Sequence, residues 1–403
     1  SEWDPEFDYR GIQGFTSLGE NGLAPLEWMY DPSTNRMPPS PAVLHNPNLY
    51  NRKGRVTVWE DECACFELCD QSCEGLYAPF KNECTQTCFT RLREQELLGD
   101  FPGGLKDLKT TDPQVREALI EIFKYWIEVA DLDGFRIDTL KHVEPEFFEA
   151  FAPAMRAHAK SLGKDNFFMF GEAFDGKDFL LGSYTHGEGV DSVFYFSAKY
   201  QIFDDVFGRG APTENIERLY TARAADTRFG DGVSTRSRYS YMEKVNGLKT
   251  GDGDALVPGD ALVHFIDNHD VPRWLYSFNN DISAYRNALS FLLTTDGIPC
   301  IYYGTEQDFS GGPDPSNRED MWGSEFKTTG QTFKHIQKLI KIRKEQPALR
   351  RGDLKFLLVS SESTEGQTTT PQAGIVAFSR TYKSSQVLVV LNTHSEKTSR
   401  TTF

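Results

Sequence analysis

The sequence predicts an α/β protein: strands and helices of a (β/α)8 TIM barrel, with a disulfide-rich segment before them and a small C-terminal antiparallel β domain after them. Three observations carry this expectation. Between about residues 111 and 346, short apolar runs alternate with amphipathic helical patterns, as in parallel βα units joined by right-handed crossovers. Three of those runs stop at an acid, in Gly134-Phe135-Arg136-Ile137-Asp138, Phe170-Gly171-Glu172-Ala173-Phe174 and Phe265-Ile266-Asp267-Asn268-His269-Asp270. Strands of a barrel end in this way where they build an active site. Beyond residue 347, the runs Leu354–Val359, Gly374–Phe378 and Val387–Leu391 follow one another with no helical pattern between them, which reads as a β domain.

In chain order, residues 1–110 are irregular. Pro, Gly, Asn and aromatics dominate the first sixty, and Met37-Pro38-Pro39-Ser40-Pro41 rules out regular structure there. Six cysteines then crowd together: Cys63, Cys65, Cys69, Cys73, Cys84 and Cys88. With no Cys-x-x-Cys pair and no His among them, they suggest three disulfides and an oxidising compartment more than a zinc site, and the pairing stays open. Cys300, alone in an apolar strand, reads as an inert core thiol.

The first helix is capped by Thr111 or Asp112 and has Pro113 in its first turn. Val115, Leu119, Ile122, Phe123, Trp126, Ile127 and Ala130 form its apolar stripe. Next come a strand near 135–137, a helix over 145–162, and strands near 167–170 and 193–196. A strand over 262–266, a helix over 284–293, a strand over 299–303 and a helix over 332–345 complete the series, which ends at Pro347.

Asp138, Glu172 and Asp270 are the candidate catalytic groups. Cleaving a glycosidic bond with retention takes a carboxylate nucleophile and a carboxylic acid about 5–5.5 Å apart on rigid elements. Arg136 lies two residues before Asp138, on the same strand face, and its charge keeps Asp138 ionised. Phe170 and Phe174 flank Glu172 and offer apolar surroundings that keep it protonated. Taken singly, acids at strand ends also serve as turn formers or helix caps.

In this order, with Lys141-His142 after the first motif and Gly297-Ile298-Pro299-Cys300-Ile301-Tyr302-Tyr303-Gly304-Thr305-Glu306 after the third, the motifs resemble those of the α-amylase superfamily, glycoside hydrolase family thirteen. The resemblance covers about residues 100–345. It implies that Asp138 is the nucleophile, Glu172 the general acid/base and Asp270 the transition-state stabiliser. It also implies that Arg136, Lys141, His142, Phe174, His269, Arg273 and Arg318 bind substrate. Ser316–Trp322 resembles a family loop, which makes Asp320 a further sugar contact.

Many family members hold a structural Ca2+, and the resemblance implies the backbone carbonyl of His142 as one ligand. The family's Asp followed by Asn-His at its third strand is missing, and only about five barrel-like strands are present where the fold has eight. The chain is therefore expected to begin after the third strand. That makes 1–110 the insertion between strands 3 and 4, 111–346 strands 4 to 8, and 347–403 the β domain, with upstream polypeptide completing the barrel. A permuted or reduced barrel is the alternative.

With 43 basic and 59 acidic residues the net charge is −16, which disfavours nucleic acid and anionic membranes as partners and leaves a neutral α-glucan or oligosaccharide as the expected one. No apolar run approaches the ~20 residues of a membrane span, and a secreted or periplasmic location follows from the cysteines. The expected activity is retaining hydrolysis of α-1,4-linked glucans by double displacement. The alternatives are an α-glucan transglycosylase or amylase-like portion of a glucan-building protein, and an inactive barrel acting as a binding subunit.

Overall fold

A computed structural model describes residues 40–51, 56, 92–101, 106–223, 227–228, 238–239, 241, 249–250, 253, 255–360 and 374–394. The six clustered cysteines, and with them the expected disulfides, lie outside the described residues.

The first long helix, α1 (Pro113–Val129), starts at Asp112, whose side chain accepts a hydrogen bond from the Gln114 N–H, and Pro113 fills the first turn. Strand β1 (Gly134–Ile137) pairs in parallel with β2 (Phe168–Gly171) across the second long helix, α2 (Pro145–Ser161). Gly134 is required there, because a Cβ would lie 2.2 Å from the Phe168 carbonyl oxygen. Strand β2 then pairs with β3 (Ser192–Val193), and a parallel bridge from Phe194 to Val263 leads on to β4 (Val263–His264). Beyond helix α3 (Ile282–Thr294), capped by the Asp281 carboxylate, β4 pairs in parallel with β5 (Ile298–Pro299). The five strands therefore run in chain order as one parallel arc.

The middle of the arc is packed with aromatic rings: Phe194 contacts Phe170 and Phe265, and Phe196 also meets Phe265, each edge-on with centroids 4.9–5.2 Å apart. Its two ends differ from this centre. Every residue of β1 is half-buried, and Ile298 of β5 is exposed. Along α1, Val115 and Ile127 are buried as the stripe predicts, whereas Phe123 and Trp126, also on the stripe, are exposed together with Tyr125 and Val129.

Strands expected over 193–196, 262–266 and 299–303 are shorter than expected, because pairing stops where the chain turns into the site. After β3 the chain becomes helical at Phe196–Ala198 and stays so, with wider turns, over Lys199–Gly208. Residues 92–98, expected to be irregular, form helix instead. Helix α4 (Gln331–Glu345) closes the α/β part.

Strands β6 (Asp353–Ser360), β7 (Ile375–Tyr382) and β8 (Ser385–Asn392) form an antiparallel sheet in the order β8-β7-β6. Buried Arg380 joins this sheet to the end of α3, donating to the Thr294 and Gly352 carbonyls at 2.8–3.1 Å, and Phe378 packs edge-on against Phe291. Cys300 is a half-buried free thiol whose pKa is raised by burial, as expected of an inert one.

Candidate active site

The site is built where β1, β2 and β4 end. Gly171 precedes the acid on β2 because a Cβ there would meet the Leu140 side chain at 2.5 Å. The Glu172 N–H donates to the Ile137 carbonyl, and the Leu140 N–H donates to that of Glu172, so the ends of β1 and β2 hold each other. Directly after Asp138, Thr139 adopts φ 50°, a conformation costly for a β-branched residue and a mark of strain at a functional turn. Its N–H donates to the Asp138 carboxylate at 3.0 Å.

Arg136 reaches both acids: one guanidinium nitrogen is 2.8 Å from Asp138 and the other 3.1 Å from Glu172. The two carboxyls nevertheless behave oppositely. Glu172 is buried, and its pKa is raised to about 7, first by loss of water and then by Asp138 beside it, against the pull of Arg136. Asp138 is exposed. The rise that its partial burial would bring is outweighed by its contact with Glu172, by Arg136 and by the Thr139 N–H, which hold its pKa below the usual value. One group is poised as an acid and its neighbour as an anion. Asp270 adds to the field that raises Glu172; it lies 2.9 Å from His269 Nε2 and 3.6 Å from Arg318.

The structure thus brings together Asp138, Glu172, Asp270, Arg136, His269 and Arg318. Phe174 is also exposed beside the acid, its ring backed by Phe196 with centroids 4.7 Å apart. Three expected sugar contacts are placed otherwise. Arg273 is fully buried, with its guanidinium carbon 4.0 Å from the Tyr302 ring centroid and Nε donating to Glu319 at 3.0 Å. It braces the site from behind.

Lys141 is held by Glu96 at 2.7 Å and Asp175 at 3.5 Å, and its side chain is 13% exposed. The His142 ring faces the Glu96 carbonyl through Nδ1 at 3.0 Å, and burial drives its pKa down to about 4. Both are covered by the 92–98 helix, which sequence patterning did not anticipate. Asp320 caps a turn by accepting from the Trp322 N–H, leaving the Trp322 ring 76% exposed. Trp274 is buried, and its indole N–H donates to the Phe203 carbonyl. Among the described residues, no group of three or more His, Cys, Asp and Glu side chains is gathered to hold a metal, so no chemical step is assigned to Ca2+.

Glu96, Asp175, Asn317 and Glu319 are the residues that sequence reasoning missed. Only the last two had a signal, since they lie within the Ser316–Trp322 segment that the resemblance marked.

Comparison with known proteins agrees with this geometry. The family model "Alpha amylase, catalytic domain" matches residues 88–208 and 250–327. The chain belongs to the α-amylase superfamily. It is 30% identical over 324 residues to an α-amylase of Streptomyces lividans, a match covering 72% of this chain and 30% of that protein. It is 31% identical over 246 residues to an uncharacterized glycosyl hydrolase of Schizosaccharomyces pombe, covering 61% of this chain and 42% of that one.

Among solved structures, an Anoxybacillus α-amylase superposes with a TM-score of 0.59 at 24% identity, over 79% of this chain and 58% of that one. A Geobacillus thermoleovorans α-amylase, solved with acarbose, does so with 0.58 at 25%, over 79% and 59%. The chain spans less than half the length of the sequence relatives it matches. The fold is that of the α-amylase-type TIM-barrel enzymes with their C-terminal β domain. No helix among the described residues is long and apolar enough to cross a membrane.

Proposed function

We propose that the protein hydrolyses α-1,4-linked glucans with retention, through a covalent glycosyl-enzyme. Asp138 attacks the anomeric carbon while Glu172 gives its proton to the departing glycosidic oxygen, so that a sugar ester forms as the C–O bond breaks. Glu172, now ionised, takes a proton from water, the water oxygen attacks the same carbon, and Asp138 is released as carboxylate. Asp270, with His269 and Arg318 beside it, faces the positive charge that develops on the sugar ring between these steps. The observation that carries the proposal is Arg136 spanning Asp138 and Glu172 while their pKa values diverge.

Among the described residues neither β1 nor β5 has a strand on its outer edge, and α1 presents exposed apolar residues near β1; both support the further proposal that additional parallel strands complete the barrel. The clustered cysteines support a secreted or periplasmic setting.

The test is product analysis of the intact full-length protein and its Asp138→Asn variant on soluble starch and maltooligosaccharides. Short α-anomeric products from the parent, with activity lower by on the order of 10³-fold or more in the variant, are expected. Products longer than the substrate would replace hydrolysis by transglycosylation, and two inactive but folded proteins would point to a binding subunit.

A further inference from the structure

Asp270 stands on a turn whose backbone polar groups are almost wholly claimed by two asparagines. Asn268 Oδ1 accepts from the N–H groups of Asp270 at 2.8 Å and Val271 at 3.1 Å. The carbonyls of the same turn are gathered by Asn317, which is fully buried: its Nδ2 donates to His269 O at 2.8 Å and Val271 O at 2.9 Å, with Asn268 O a longer contact at 3.4 Å. An Asn side chain can donate to carbonyls only through its NH2 group, which fixes the orientation of this side chain. Its Oδ1 is buried and has no hydrogen-bond partner, so the donor end is what the fold uses. Asn317 adjoins Arg318, which itself reaches Asp270, and so the 314–318 loop grips the Asp270 turn by both backbone and charge.

We infer that Asn317 is a positioning residue for Asp270: it holds the His269–Val271 carbonyls and thereby sets where the Asp270 carboxylate stands against the sugar. This rests on the proposed role of Asp270. Loss of the clasp lets the carboxylate drift relative to Asp138 and Glu172. An error of about 1 Å in such a group lowers rate on the order of 10²-fold.

The substitution Asn317→Asp keeps the shape and inverts the hydrogen bonding, setting an anion among carbonyl oxygens. A buried carboxyl in that place has a raised pKa and regains one O–H donor when protonated. The charged and titratable groups around the turn (Asp270, His269, Arg318 and Asp314) are common to parent and variant, so the activity ratio between them isolates residue 317.

The experiment measures kcat and KM on maltooligosaccharides from pH 5 to 8 for the intact protein, Asn317→Asp and Asp270→Asn, with Tm recorded at each pH. The expected result for Asn317→Asp is kcat lower on the order of 10²-fold at pH 7, KM within about threefold of the parent, and a parent-to-variant ratio that shrinks as pH falls. Parental kcat, a deficit that does not change with pH, or a deficit that only tracks a fall in Tm would overturn the inference. If Asn317→Asp does not fold, Asn317→Ser, which keeps a single donor, decides: reduced kcat at unchanged KM supports the inference and parental kcat refutes it. If Asp270→Asn retains parental kcat, the catalytic reading itself fails. If Asp270→Asn is inactive while the Asn317 variants are unimpaired, only the positioning inference fails.

Discussion

The two sides of the candidate site are held by different forces. Around Asp138 and Glu172 the fixing element is charge: Arg136 touches both carboxyls, and burial of one but not the other drives their pKa values apart. Around Asp270 the backbone is fixed by neutral hydrogen bonds, which Asn268 accepts and Asn317 donates, while the carboxylate itself meets His269 Nε2 at 2.9 Å and Arg318 at 3.6 Å. Groups that exchange protons need an environment that tunes ionisation, and charge and desolvation do that. A group proposed to act by its position needs above all to be held in place, and hydrogen bonds to the backbone beneath it do that.

Removing the shared cation should break this contrast most severely. With Arg136→Ala, both carboxyls lose the charge that lowers their pKa, so kcat should fall on the order of 10²–10³-fold. The acid limb of the pH–rate profile should also move to higher pH, because Asp138 is then protonated more readily; steady-state kinetics across pH checks both.

In the unaltered protein, the acid–anion division predicts a bell-shaped profile. Glu172 must be protonated to act, so activity should fall about tenfold per pH unit above pH 7, and protonation of Asp138 should set the acid limb below its lowered pKa. A flat profile between pH 6 and 9 would remove Glu172 as the acid.

The smallest effect is on stability. Burial raises Glu172 from 4.5 to about 7 in the folded protein, so its favourable contribution is complete below pH 4.5 and is lost as pH rises through about 7. Glu172→Gln does not titrate. Its Tm should therefore gain a few degrees on the parent between pH 4.5 and 8, and calorimetry at those two pH values should show the difference widening.

Legibility in the sequence follows the same division. The strand ends carrying Asp138 and Glu172 were readable because a strand places residues at fixed alternation, so that Arg136 had to share a face with Asp138. The order of the parallel strands was readable for a related reason, since crossovers have one hand. The asparagine clasp was not: Asn268 and Asn317 each lie in a segment that the resemblance marked, but they are 49 residues apart and nothing local says that they meet at one turn. Lys141 and Arg273 misled for the opposite reason. A cation beside a catalytic motif looks free until its partners are known, and those partners, Glu96 on the 92–98 helix and Glu319 in the loop after β5, come from segments far along the chain. On α1, periodicity identified the apolar stripe but did not say how much of it would be covered: Ile127 is buried and Trp126 is half exposed.

The sequence by itself determined the alternation of strand and helix, the family, the three carboxylates and their order along the chain, because these depend on local periodicity and on short motifs. Only the tertiary structure decided which cations face the site and which are spent as braces, how far apart the pKa values of Asp138 and Glu172 are driven, and what holds Asp270. Those properties depend on burial and on contacts between segments far apart in the chain, and both exist only once the chain has packed.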